Sequence, residues 1–66
     1  MNAMIKAKFV LEKETVNTFR YQEIDAAGEP LKQEQAQIGT IYLRKSALNG
    51  TKPQFIEAMI KATEVD

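Results

Sequence analysis

Apolar side chains recur at every second position near the start of the chain, and this period of two constrains the fold more than any other feature. It runs from Ile5 to Leu11, with Lys6, Lys8 and Val10 at the positions between. Successive side chains of a β-strand point to opposite faces, so the spacing predicts a strand with one buried face. The alternation returns after a polar stretch, with Phe19 and Tyr21 on one parity. The chain therefore predicts a sheet that is apolar on one side.

We predict a mainly β fold, a four-stranded antiparallel sheet with strands at residues 5–12, 17–24, 38–45 and 54–62. One short helical turn is expected near residues 46–49, with Ser46 as its cap and Asn49-Gly50 as its left-handed exit. Residues 25–37 are predicted to form an exposed loop, because Gly28 and Pro30 punctuate a stretch with few large apolar groups. Residues 1–66 are expected to form a single small domain.

The first two strands are expected to form a hairpin with a loop near residues 13–16. A register that pairs Phe9 with Tyr21, and Leu11 with Phe19, places all four side chains on one face. The predicted inner face comprises Ile5, Ala7, Phe9, Leu11, Phe19, Tyr21, Ile41, Leu43, Ile56, Ala58 and Ile60. Because water must be kept from these groups, the sheet is expected to curl on itself or to pack against a second copy.

The final segment also fits a helix, which leaves an alternative α+β fold. In that alternative, residues 53–64 form a helix that covers a three-stranded sheet. The glutamine, glutamate, alanine, methionine and lysine residues of this segment favour a helix by propensity. Such a helix would cover the sheet within one chain and would weaken the case for a dimer. As a strand, the segment would place Ile56, Ala58 and Ile60 on one face.

The segment Ile38-Gly-Thr-Ile-Tyr-Leu-Arg-Lys-Ser-Ala-Leu resembles a recurrent segment of small bacterial proteins that have no assigned activity. Those proteins also share an N-terminal part similar to Lys8–Tyr21. In them, the final segment follows a proline, alternates apolar residues and resembles a strand, and the spacing from Pro53 to Ile60 matches this pattern. The resemblance implies a strand for the final segment. It does not suggest any activity, because those proteins have none assigned.

The composition removes most routes to catalysis. The chain has 66 residues, nine basic and nine acidic, with no His, Cys or Trp. The residues that most often carry nucleophilic, acid–base or zinc chemistry are therefore missing, and we expect no enzyme, no catalytic, cofactor-binding or metal residue, and no small-molecule substrate. Disulfides are excluded, so oligomerisation is the favoured way for so small a domain to gain stability. With no signal-peptide or membrane-span pattern, a cytoplasmic location is expected.

The predicted outer face is locally basic although the total charge is zero. Lys6, Lys8, Arg20, Tyr42 and Arg44 share this face and are the candidate contacts for a nucleic acid or another partner. Arginines beside an aromatic ring can bind phosphates while the ring stacks on a base. An ordinary solvated sheet face is the simpler interpretation.

Carboxylates are the remaining candidates for acid–base chemistry. Glu12, Glu14, Glu23 and Asp25 are expected to be solvated, because nothing in the pattern predicts burial or convergence on a pocket. The sequence thus favours a non-enzymatic protein-interaction or assembly module that acts as a homo-oligomer, most simply a homodimer. The alternative is a nucleic-acid-binding module that uses the basic face.

Overall fold

Four β-strands form one antiparallel sheet in the computed structural model, which describes residues 3–63. The strands are β1 (Met4–Glu14), β2 (Thr18–Ile24), β3 (Thr40–Arg44) and β4 (Phe55–Lys61), and a 3-10 turn spans Lys45–Leu48. Their spatial order is β3-β2-β1-β4, and the sheet curls into a half-barrel. The predicted mainly β class is confirmed, including a strand for the final segment, and the helical alternative is wrong.

Local hydrogen bonds explain why the β1–β2 turn and the 3-10 turn differ in detail from the prediction. The β1–β2 turn is closed by threonines, since the amide of Thr18 donates to the Thr15 hydroxyl at 3.0 Å and the Thr15 amide donates to the Thr18 carbonyl at 2.9 Å. Strand β1 therefore continues to Glu14. The 3-10 turn has Arg44 at its N-cap position without a side-chain bond, so the predicted Ser46 cap is wrong. Its left-handed exit at Asn49 (φ 52°) is confirmed.

The observed β1–β2 register differs from the predicted one. Phe9 lies opposite Glu23 and Leu11 opposite Tyr21, and a bulge follows between Leu11 and Lys13. The predicted pairing of Phe9 with Tyr21 is therefore wrong, although a shift of two residues keeps each apolar side chain on its predicted face. The tight threonine turn fixes the pairing near the loop, and the bulge inserts one extra residue into β1.

The inner face is covered by the chain itself. Because β3 and β4 lie at opposite edges, residues 45–54 must cross β2 and β1 to join them. Leu48 of this crossing connection packs against the core, and the Tyr21 hydroxyl donates to the Pro53 carbonyl at 2.8 Å. Phe9 and Tyr21 are fully buried and Phe19 is 4% exposed. These three rings are therefore shielded from water within one chain, and no second copy is needed to cover them.

Coverage of the inner face decreases towards the end of β4. Ala7 joins the buried rings, and partly buried apolar groups surround them: Leu11, Ile38, Ile41, Leu43, Leu48, Ile56 and Ala58. Ile60, which belongs to the predicted inner face, is 46% exposed. The alternation thus assigns the inner face correctly, and the cover over that face is incomplete near the β4 edge.

Residues 25–37 are largely exposed, and short-range bonds organise them. The Asp25 carboxylate accepts hydrogen bonds from the amides of Ala27 (2.9 Å) and Glu29 (3.0 Å). A further turn follows at residues 33–35, where the Ala36 amide donates to the Lys32 carbonyl at 3.0 Å. Leu31 and Ala36 are half-buried, so this segment lies along the sheet at these two points.

The bulge in β1 turns Glu14 towards the crossing connection. Glu14 lies opposite Phe19, and its two carboxylate oxygens contact Lys45 Nζ at 2.6 Å and Lys52 Nζ at 2.8 Å. The hydrogen bonds from Lys45 and Lys52 lower the pKa of Glu14 from 4.5 to about 2. One carboxylate therefore holds both ends of the segment that covers the core.

We expect the Glu14 contacts to make the fold acid-sensitive. A carboxylate whose pKa is lowered by folding stabilises the native state above its unfolded pKa, and this contribution is lost as pH falls from 4.5 to about 2. Urea midpoints measured across this window should fall less steeply in Lys45→Met than in the parent protein. Lys13→Met, which removes a lysine that does not contact Glu14, is the matched control. Equal slopes for Lys45→Met and the parent would contradict the assignment.

Candidate interaction surface

The five predicted contact residues do share the outer face, and three of them lie together. Arg20 and Tyr42 are directly opposite each other on β2 and β3, with the guanidinium carbon 6.0 Å from the ring centroid. Arg44 occupies the next outward position on β3. Arg20 Nε also lies 2.7 Å from a carboxylate oxygen of Glu12. A phosphate would therefore have to compete with Glu12 for this guanidinium.

Lys6 and Lys8 lie apart from this group. Lys8 is opposite Ile24, four residues along β2 from Arg20, a separation of about 13 Å along the strand. On its other side Lys8 faces Glu57, and Lys6 faces Met59. The predicted basic face is thus divided into two groups, each with a carboxylate nearby. Nucleic-acid contact by these residues stays a prediction.

Exposed apolar groups are concentrated on β4. Among residues 3–63, six large apolar side chains are exposed, and four of them lie on β4 or at the adjacent end of β1. We call this set the β4 surface: Met4, Phe55, Met59 and Ile60, at 56%, 62%, 57% and 46% exposure. The other two are Val16 in the hairpin loop and Tyr42 beneath Arg20. Met4, Phe55 and Met59 share the outer parity and Ile60 the inner one, so the exposed apolar groups flank the β4 edge on both faces of the sheet.

The backbone of β4 is paired on one side only. The Leu11 amide donates to the Gln54 carbonyl at 2.8 Å, and the Ala62 amide donates to the Ala3 carbonyl at 2.7 Å. Bonded pairs alternate along an antiparallel ladder, so even-numbered β4 residues bond to β1. The main-chain groups of the odd-numbered residues therefore face the free edge: Phe55, Glu57, Met59 and Lys61. An exposed edge of this kind can pair with another strand.

Glu23 is buried, contrary to its predicted solvated position. It is 1% exposed, and one carboxylate oxygen accepts hydrogen bonds from the amides of Ile38 at 2.8 Å and Gly39 at 2.9 Å. The Glu23 carbonyl, which a regular ladder would offer to Gly39, accepts from Leu31 instead at 3.0 Å. The carboxylate therefore accepts hydrogen bonds from the Ile38 and Gly39 amides, which the β2–β3 ladder leaves without a main-chain acceptor.

The charge of Glu23 is maintained by this environment. Burial opposes ionisation and raises the pKa, but the bonds from the amides of Gly39, Ile38 and Gln37 outweigh it and lower the pKa below 4.5. The prediction of a solvated Glu23 is wrong. The alternation along β2 could have predicted this burial, because Glu23 is on the same face as Phe19 and Tyr21. Its role in the structure is to fix the end of the 25–39 segment against β2.

An open groove of about 560 Å³ lies between this segment and the outer face of β2 and β3. Its lining is Gln22, Leu31, Gln33, Ala36, Ile38, Gly39 and Thr40. The Thr40 hydroxyl donates to the Gln22 amide oxygen at 3.3 Å. These side chains provide amide, hydroxyl and apolar groups, which suit hydrogen bonding rather than proton transfer.

Comparisons of the chain with protein-family models, with curated proteins and with solved structures give no match. The resemblance of residues 38–48 to small bacterial proteins therefore stays a prediction. Within residues 3–63, every helical segment is too short or too polar to cross a bilayer.

Proposed function

We propose that the protein is a small non-enzymatic assembly module that self-associates through the edge strand β4. The observation that carries this proposal is the coincidence of the β4 surface with a free backbone edge. Apolar area removed from water contributes about 25 cal/mol per Å², and a paired edge also satisfies main-chain groups. Both contributions act at the same place on this molecule.

A second copy is the partner that these features favour. A two-fold dimer brings the same patch of each copy together, and β4 can pair with itself in antiparallel fashion. The net charge is zero, so two copies do not repel each other strongly. Natural edge strands avoid pairing with prolines, bulges or charged side chains; β4 has no proline and pairs with β1 in an unbroken register, and its two charged residues, Glu57 and Lys61, are of opposite sign.

Self-association predicts a concentration-dependent sedimentation coefficient. The parent protein should move from monomer to dimer as its concentration rises through the micromolar range. Met59→Lys places a charge at the exposed edge and should keep the protein monomeric. Because Met59 is 57% exposed, the variant should still fold; far-UV circular dichroism checks this, which matters because Met59 faces Lys6 within its own chain. Sedimentation velocity measures the change.

Val16→Lys is the matched control, since Val16 is 86% exposed and lies in the hairpin loop. This variant should dimerise like the parent protein. A parent protein that stays monomeric at the highest concentration would contradict the proposed function. Equal association of Met59→Lys and the parent would exclude β4 as the interface.

A further inference from the structure

We propose that β4 pairs with β4 of a second copy in a two-fold antiparallel register centred on Met59. This inference rests on the proposed self-association and specifies its geometry. Glu57 of each copy would lie directly opposite Lys61 of the other. The two copies would then form one continuous eight-stranded sheet, four strands from each chain.

The edge geometry limits which registers can form. Only odd-numbered β4 residues direct main-chain groups to the free edge, so odd residues must pair with odd residues. The two copies of β4 overlap over most of their length when the two-fold axis passes through Glu57, Ala58 or Met59. The ladder continues past Lys61, since Ala62 bonds to Ala3, so a centre at Met59 pairs residues 56–62. This overlap equals that of residues 55–61 around Ala58.

Charge selects among the three registers. A centre at Glu57 places the two Glu57 carboxylates opposite each other, which is unfavourable. A centre at Ala58 leaves Glu57 opposite Met59 and forms no pair of opposite charges. A centre at Met59 sets Glu57 against Lys61 twice, once on each side of the axis. The third register is therefore the one that the side chains favour.

The same register also covers the exposed end of the inner face. It places Ile60 of one copy opposite Ala58 of the other, so a large apolar group meets a small one. Ile60 is 46% exposed in the single chain, and the neighbouring strand would remove part of this surface from water. The two Met59 side chains would meet at the axis on the outer face.

Single cysteines can identify the register, because the chain has no cysteine of its own. Directly opposite Cα atoms in an antiparallel pair are about 4.5–5.5 Å apart, within the range that a disulfide spans. Under mild oxidation, Met59→Cys should form a disulfide dimer, while Glu57→Cys and Ala58→Cys should remain largely monomeric on a non-reducing gel. Faster cross-linking of Ala58→Cys or Glu57→Cys would overturn the register.

Charge exchange provides an independent test. Glu57→Lys and Lys61→Glu each create like charges across the interface, so each variant alone should sediment as a monomer where the parent is dimeric. An equimolar mixture of the two should dimerise, because opposite charges then face each other at both positions. Far-UV circular dichroism checks folding, which matters for Glu57→Lys because Glu57 faces Lys8 within its own chain.

The double variant Glu57→Lys/Lys61→Glu should restore the homodimer. Failure of both the mixture and the double variant to dimerise would overturn the proposed register. A parent that still dimerises, and that Met59→Lys still makes monomeric, would leave the proposed function intact with a different β4 register. A parent that is monomeric throughout would instead contradict the proposed function itself.

Discussion

Replacing Phe9 with alanine should remove about 3–5 kcal/mol of stability, the largest effect expected from any single substitution in this protein. Phe9 is fully buried at the centre of the inner face. A domain of 66 residues has a total stability of only about 3–10 kcal/mol, so Phe9→Ala should be largely unfolded at room temperature or close to it. Urea denaturation followed by far-UV circular dichroism measures the loss.

Val16→Ala is the control for Phe9→Ala. Val16 is 86% exposed, and its truncation should change the free energy of unfolding by no more than about 0.5 kcal/mol. A loss below about 1 kcal/mol for Phe9→Ala would show that the inner face is not the folded core.

Replacing Glu23 with alanine should cost about 3 kcal/mol, because it leaves the amides of Ile38 and Gly39 without their acceptor. The cost should also depend on pH. Folding lowers the pKa of Glu23, so its contribution is present above pH 4.5 and is lost as pH falls below that value. Glu23→Gln keeps the size of the side chain and should reduce this pH dependence. Urea midpoints at neutral and acidic pH measure both effects.

Glu34→Ala removes a glutamate from the exposed segment and should change stability at neutral pH by no more than about 0.5 kcal/mol. If Glu23→Ala proved no more destabilising than Glu34→Ala, the buried carboxylate would not be holding the start of β3. Nuclear magnetic resonance shifts of the Ile38 and Gly39 amides would locate the change directly.

The faces of the strands were predictable from the sequence because they depend on a local property. Alternation alone places Phe9, Phe19 and Tyr21 on one side, whatever the pairing. The register was not predictable in the same way. It depends on a turn closed by two threonine hydroxyls and on a bulge near Glu12, and neither feature disturbs the local apolar pattern. A shift of two residues preserves every face, so the pattern cannot detect it.

Glu23 and the β4 surface were missed because they depend on long-range placement. Glutamate is seldom fully buried, and its burial here requires the amides of residues 38 and 39 to return to β2. The division of the basic face likewise follows from the β1–β2 register, which puts Lys8 opposite Ile24, and the strand order adds Glu57 opposite Lys8. The sequence predicted which residues share the outer face but not which neighbours each residue meets.

Amide hydrogen exchange along β4, measured at low and at high protein concentration, tests self-association through this edge most directly. At low concentration the amides of Ile56, Ala58 and Ile60 should be protected by β1, while those of Glu57, Met59 and Lys61 should exchange quickly. Raising the concentration should slow exchange in the second group alone. If those three amides continued to exchange quickly at the highest concentration, pairing through β4 would be contradicted.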